Sequence, residues 1–357
     1  MNELKDYYYN KKVLVTGASG FVGGWLSLIL KEIFSAKVFG IGLMPTERDS
    51  FFNSVKIEKL IDDFSILDVR SENNIKSYVN SVNPDIVFHL AAQPLVSESY
   101  LNPIGTFDTN VMGTLNILKS VFDTCSKTDC IIITSDKCYK NEENGKPFKE
   151  TDPLGGVDPY SASKAACEIV SESFARSYFE ESKKFKLSTA RAGNIIGGGD
   201  WSRDRIITDI LKSILSSKNL ILRNPEAIRP WQHVMDAING YLKIGFYMKS
   251  SKEAFNSFNF GPSDEDEMNV REFSQEFFKC WGVKNIETNL KKENNYESTT
   301  LRLNNNKSRK ILGWLPLLNQ RETIKWTVDW YKQYLDGKDI KFKSVEDASN
   351  FFEMINT

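Results

Sequence analysis

Tyr160 and Lys164 stand four apart in the string D-P-Y-S-A-S-K-A-A-C-E. At helical spacing both side chains leave one face, one turn apart. A phenol above an ammonium is an acid/base pair, because the positive charge favours phenolate and lowers the tyrosine pKa toward working pH. The same spacing arises in any helix-rich chain, where the bland alternative is an exposed pair. What gives the pair weight is the earlier stretch I-I-I-T-S-D-K-C-Y, which presents Thr134, Ser135, Asp136 and Lys137 after an apolar start. Ile131 to Ile133 reads as a buried strand, and open α/β sheets place their ligands at the carboxyl ends of such strands. Adjacent residues on a regular strand point to opposite faces, so Asp136 and Lys137 reach one ligand only if the strand has ended or kinked before them.

The elements that must position these groups begin at Lys12 to Thr16, a β-branched run followed by Gly17, Gly20 and Gly23 and then W-L-S-L-I-L. Strand, glycine turn and helix form the first half of a dinucleotide-binding unit. Gly17 permits the turn, Gly20 lets backbone approach a pyrophosphate, and Gly23 allows close helix packing. The phosphates would sit at the helix amino terminus beside Phe21 and Val22. A bare glycine turn is the alternative. Lys37 to Ile41 reads as the second strand, but Gly42, Leu43, Met44 and Pro45 follow where NAD binding asks for an acidic residue, and Arg48 lies nearby. The choice between NAD and NADP stays open on these residues. Asp68 is either an acceptor for the adenine amino group or a helix N-cap. Asp85 to Leu90 is a strand leading to Ala91 and Ala92, small enough for a flat cofactor to lie against the backbone. Asn110 to Leu118 has an amphipathic helical pattern that begins with a capping-type residue. Alternating strands and helices predict a Rossmann-type, doubly wound parallel sheet with a smaller C-terminal α/β substrate-binding part.

Leu187 to Ala192 continues the alternation, and Asn194 to Trp201 is a glycine-rich loop. Asp204 to Ile214 is helical in period, and Leu220 to Leu222 is a short strand. R-N-P-E-A-I-R-P-W-Q-H then combines Arg223, Arg229 and Trp231, which suit phosphate and base recognition or, equally simply, a solvated loop. Val234 to Tyr247 is helical and Phe258 to Phe260 a further strand. The expected division is therefore 1–192 for the cofactor, with 234–261 returning to it, 193–233 and 262–335 for a nucleotide sugar, and 336–357 as a tail.

With 357 residues, 41% hydrophobic and 26% charged, the chain can bury a large core. Lys+Arg at 46 against Asp+Glu at 47 gives a net charge of −1, which advertises neither nucleic acid nor a membrane surface. Five cysteines without a C-x-x-C pair and two distant histidines predict reduced thiols and no metal centre. Neither a leader-like apolar start nor a long apolar run is present, so a soluble, cytoplasmic protein is expected.

In order along the chain, G-A-S-G-F-V-G, H-L-A-A, N-V-M-G-T-L-N and Y-S-A-S-K resemble the extended short-chain dehydrogenase/reductase family. Within it, T-S-D-K-C-Y, G-G-V-D-P-Y-S-A-S-K, A-R-A-G-N-I-I-G-G-G-D-W and R-N-P-E-A-I-R-P-W-Q-H look like the branch that dehydrates CDP-glucose. The turn departs from that branch's usual G-H-T-G-F-K-G at Ala18, Ser19 and Val22. The resemblance implies NAD as cofactor, held by Gly17, Gly20, Phe21, Val22, Gly23, Asp68, Ala91, Ala92, Asn110, Tyr160 and Lys164. It implies that Tyr160, supported by Lys164, accepts the O4 proton during C4 oxidation, with Ser135 bonded to O4. Lys137, neutral, would then take the C5 proton, and Asp136, protonated, would donate to the departing C6 hydroxyl. Asn194 would hold the diphosphate, with Arg205, Arg223, Arg229 and Trp231 toward the nucleotide. Family likeness further implies deoxysugar biosynthesis for surface polysaccharide, and a homodimer through helices at Asn110 to Leu118 and Ala165 to Ser177. The competing readings are a nucleotide-sugar 4-epimerase, a dehydratase for another nucleotide sugar and, more remotely, a non-catalytic nucleotide-binding regulator.

Overall fold

The computed structural model describes residues 2–263, 267–283, 288–290 and 300–355. Seven parallel strands form its central sheet: β1 (Lys12–Thr16), β2 (Lys37–Gly42), β3 (Asp63–Ile66), β4 (Ile86–His89), β5 (Thr128–Ile133), β6 (Phe185–Ala192) and β10 (Phe255–Phe260). Between β6 and β10 the chain adds three short strands, β7 (Ile195–Ile196), β8 (Leu220–Leu222) and β9 (Gln232–His233), and a further one, β11, follows at Thr288–Leu290.

Spatial order is β10-β6-β5-β4-β1-β2-β3. The strands are apolar because both faces are covered, and their two-residue period sends neighbours to opposite cores. Val13, Val15, Ile86, Phe88 and Ile131 enter one core, while Leu14, Val87, Cys130 and Ile132 enter the other. The strand order reverses between β1 and β4, opening a crevice at their carboxyl ends where a doubly wound sheet binds ligands.

Smaller elements build the wall facing that crevice. β7 pairs with β9 and β8 with β11, flanked by helices Ile206–Ser216 and Val270–Trp281. The strand β10 returns to the sheet beside β6, in register from Phe255↔Leu187 to Phe260↔Ala192.

Two local expectations change. Asn110 does not cap a helix: Asn102 does, accepting the amide of Gly105 at 2.9 Å with Pro103 at the first helical position, and Asn110 lies in a wide turn at Asp108–Met112 inside a continuous helical run. The residues after 335, expected as a tail, carry a helix of their own. A helix at Ile340–Met354, capped by Asp339, buries Ile340, Ala348, Phe351 and Phe352, and Phe352 meets Phe34 edge-on at 5.1 Å. Few of its residues are aliphatic, so its sequence carries a weak apolar stripe. Large aromatics compensate by each burying much area.

Among the described residues no helix is long and apolar enough to cross a membrane. None of the five cysteines is paired with another.

Candidate active site

A cavity of about 810 Å³ occupies the crevice. One end is the turn after β1, where Gly17 adopts φ +72° and a Cβ on Gly23 would lie 2.1 Å from the Gly17 carbonyl oxygen. These two positions require glycine. They press helix Phe21–Glu32 onto the strand, and the amino end of that helix, with Phe21 and Val22, lines the cavity. Free N–H groups there suit a diphosphate. Ala91 and Ala92 form a flat wall beyond β4, so the residues present fit a dinucleotide.

Asp68 also lines the cavity. Its N-cap alternative is excluded, since Ser71 precedes helix Glu72–Val82. Instead its carboxylate accepts the Arg70 amide at 2.9 Å and the Arg70 guanidinium at 2.6 Å, and that bonding lowers its pKa. Ser19, also on the wall, donates to the Leu43 carbonyl at 2.6 Å and closes the end of β2, where no acidic residue stands.

The strand β5 stops at Ile133, Ser135 is extended, and Asp136–Cys138 form a single 3₁₀ turn. This break removes the alternation of a regular strand, so Ser135, Asp136 and Lys137 all line the same cavity. Ser135 donates to Asp136 Oδ1 at 3.0 Å and accepts the Lys137 amide at 3.2 Å. Burial raises the Asp136 pKa against the opposing pull of Lys137, the Ser135 hydrogen bond and Arg229. Its Oδ2 is buried with no hydrogen-bond partner among the described residues. Burial of this kind favours the protonated form of the carboxyl.

Tyr160 and Lys164 come from the first turns of helix Pro159–Phe174. Asp158 caps it through the Ser161 amide at 2.9 Å, and Pro159 occupies the first helical position. Both side chains line the cavity. Burial pushes Tyr160 up to about 12, against the Ser135 hydrogen bond and the Arg205 charge, while Asp136 and Asp158 add to the rise. Lys164 donates to the Ile133 carbonyl at 3.1 Å, and burial lowers its own pKa.

Of the nucleotide-sugar residues, Asn194, Arg205, Arg223, Arg229 and Trp231 all line the cavity. Trp231 is buried and stacks on Phe273 at 4.2 Å, so one of its faces is already taken. Arg223 donates to the Asp204 carbonyl at 3.1 Å. Over the mouth, Ser97 donates to Asp204 at 2.7 Å and Arg203 pairs with Glu98, joining the two walls.

Asn110 is the exception to the expected set, because it is buried and does not line the cavity. It accepts the Gln93 amide at 2.7 Å and donates to Ser163 at 2.8 Å, tying the segment after Ala92 to the tyrosine helix. The two histidines also stand apart. His89 is bonded to Thr16 at 2.7 Å and Thr114 at 3.1 Å, and burial lowers it to about 3, which makes it a neutral brace between strands and helix.

A family model described as GDP-mannose 4,6 dehydratase matches residues 14–327. The chain belongs to this family. Within the GDP-mannose 4,6 dehydratase family, the chain is 39% identical to the CDP-glucose 4,6-dehydratase of Salmonella typhimurium over 97% of its own length and 98% of the relative's. It is 26% identical to the human dTDP-D-glucose 4,6-dehydratase, over 95% and 94% of the two chains. Among solved structures, the dTDP-glucose 4,6-dehydratase of Streptomyces venezuelae with NAD and TYD bound superposes with a TM-score of 0.79 at 20% identity, covering 92% of this chain and 99% of that one. The UDP-glucose 4-epimerase of Thermotoga maritima gives 0.78 at 22%, covering 91% and 99%. Those two likenesses are of fold, and the resemblance read from the strings stands.

Several cavity residues were not singled out from the chain, among them Arg70, Ser97, Asp209 and Asn224. Only Arg70 had a local cue, an arginine two places after a loop aspartate, the geometry of a side-chain-to-backbone turn.

Proposed function

We propose that the protein converts CDP-glucose into CDP-4-keto-6-deoxyglucose and water, with NAD as a cofactor that is regenerated each turn. The observation that carries this reading is the 3₁₀ turn that puts a buried acid, Asp136, and an amine, Lys137, on the cavity that also receives Tyr160. The 39% likeness to a CDP-glucose 4,6-dehydratase supports the nucleotide. NAD, when bound, supplies acceptance of a hydride from C4 and its return to C6.

The chain's residues supply the proton chemistry. Tyr160, its phenolate supported against burial by the Lys164 ammonium, accepts the O4 proton while Ser135 bonds O4, leaving a C4 ketone that acidifies the C5 hydrogen. Lys137, as neutral amine, takes the C5 proton. Asp136 protonates the C6 hydroxyl, which departs as water as the C5–C6 double bond forms. When hydride returns to C6, the Lys137 ammonium gives a proton to C5. Tyr160 has then gained one proton and Asp136 lost one, so both reset by a single exchange. Asn194, Arg205, Arg223, Arg229 and Trp231 serve the diphosphate and nucleoside, guanidinium groups forking onto phosphate oxygens. An epimerase has no use for the acid and amine at C5 and C6, which disfavours that reading.

The test is a panel of CDP-, dTDP-, GDP- and UDP-glucose assayed for keto-sugar, with C4-deuterated substrate. The expected result is a preference for CDP-glucose, deuterium moving from C4 to C6, and one solvent proton entering C5. Inversion at C4 without loss of water would overturn the reading.

We infer further that the active form is a homodimer. Leu101, Ile104, Met112, Ile169 and Tyr178 are exposed along the helical run Pro103–Thr124, the short helix before it and the helical stretch beginning at Pro159. Exposed apolar side chains on these neighbouring helices suit burial against a second copy.

A further inference from the structure

Beneath the catalytic turn lies a charged pair that the proton chemistry above does not use. Glu168 and Arg191 form an ion pair at 2.7 Å, with side chains 1% and 4% exposed, and neither lines the cavity. Such a pair is weak evidence of stability, since desolvation offsets its attraction, and its best-attested use is to fix an arrangement. The contacts show what is fixed. Glu168 accepts from the Thr134 hydroxyl and from the Thr189 hydroxyl at 2.7 Å. Arg191 donates to the Tyr139 hydroxyl at 2.9 Å and the Glu150 carbonyl at 3.0 Å. Tyr139 in turn donates to Asn259 at 2.6 Å and stacks on Phe148 with ring centroids 4.8 Å apart.

Thr134 and Tyr139 are the two ends of the segment that carries Ser135, Asp136 and Lys137. Glu168 stands one helical turn beyond Lys164, which holds the carbonyl of Ile133. One helix face therefore grips the strand end twice, and through Arg191 the same grip extends to the far end of the turn.

We propose that Glu168 and Arg191 are positioning residues for the elimination step, clamping both ends of the Thr134–Tyr139 segment so that Asp136 and Lys137 are fixed relative to Tyr160. This rests on the dehydratase reading. Oxidation at C4 draws on this segment only through Ser135 and otherwise on Tyr160, whose helix is capped independently by Asp158. Elimination depends on the turn. Loosening the clamp therefore slows the second step more than the first, and small displacements of catalytic groups cost up to about 100-fold.

The experiment uses the holoenzyme with CDP-glucose in single turnover, following the near-ultraviolet absorbance of reduced nicotinamide. Tyr139→Phe removes one buried hydroxyl and keeps the stacked ring; Glu168→Gln removes the charge and keeps the shape. In both, the reduced cofactor is expected to form with at most a small slowing through Ser135 and to decay about tenfold more slowly, so that it accumulates. A variant that merely folds less well lowers the amplitude of rise and decay together and leaves their ratio unchanged. That outcome, or equal slowing of both phases, overturns the clamp. Absence of keto-sugar from the unaltered protein removes the dehydratase reading and the clamp with it, whereas keto-sugar from the unaltered protein with an unchanged ratio in Tyr139→Phe removes the clamp alone.

Discussion

Asp136 is the residue whose environment most directly shapes its chemistry. Burial raises its pKa, so its protonated form persists above the ordinary carboxylate range and is lost as pH rises through the raised value. The elimination step should lose rate as pH rises through the Asp136 ionisation, and lose it on the acid side as the Lys137 base is protonated. Asp136→Asn should abolish the alkaline limb and lower the rate about 100-fold or more, from the lower end of the usual contribution of a general acid upward. Single-turnover decay of reduced cofactor against pH is the measurement; an alkaline limb that survives in Asp136→Asn would assign it elsewhere. The types of Ser135, Asp136, Lys137, Tyr160 and Lys164 were legible in the strings. The partner of Lys164 was not, because spacing on a helix says which face a side chain leaves from and nothing about a carbonyl waiting on another strand.

At the scale of elements, the amino end of helix Pro159–Phe174 sets where Tyr160 stands. Asp158 accepts both the amide and the hydroxyl of Ser161, at 2.9 and 2.5 Å, and it is buried. Asp158→Ala should destabilise the protein by about 1 kcal/mol, the usual worth of a helix cap, and Asp158→Asn should restore most of that. Urea unfolding midpoints decide it, and an unchanged midpoint in the alanine variant would show the cap to be dispensable. Strand positions such as Val13 to Val15 and Ile131 to Ile133 could be read because apolar runs flanked by glycine or polar residues have few other uses. The turn at Asp136–Cys138 could not, since three-residue 3₁₀ turns have no strong composition. Asn110 misled for a related reason: an amide side chain serves as readily to bridge two segments as to cap a helix.

Over the whole molecule, parallel sheet, crevice and cavity follow from the alternation of strands and helices, which is why the fold class could be read before any contact was known. Association is a surface property and needs its own test. The exposed Ile104 and Ile169 belong to the apolar helical face, and Ile104→Glu with Ile169→Glu should convert dimers to monomers in sedimentation. Dimers that persist in the double variant would move the interface elsewhere.

The helix Ile340–Met354 has a consequence for biogenesis. Phe352 fills space beside Phe34, and Phe34 also packs edge-on against Tyr8, whose hydroxyl reaches the Leu242 carbonyl at 2.9 Å. The amino-terminal strand and helix thus share their final packing with segments that leave the ribosome long after them. Early in synthesis the dinucleotide-binding half holds its glycine turn and its first strands, but with an open apolar flank that chaperones would have to shield until residues 340–354 arrive.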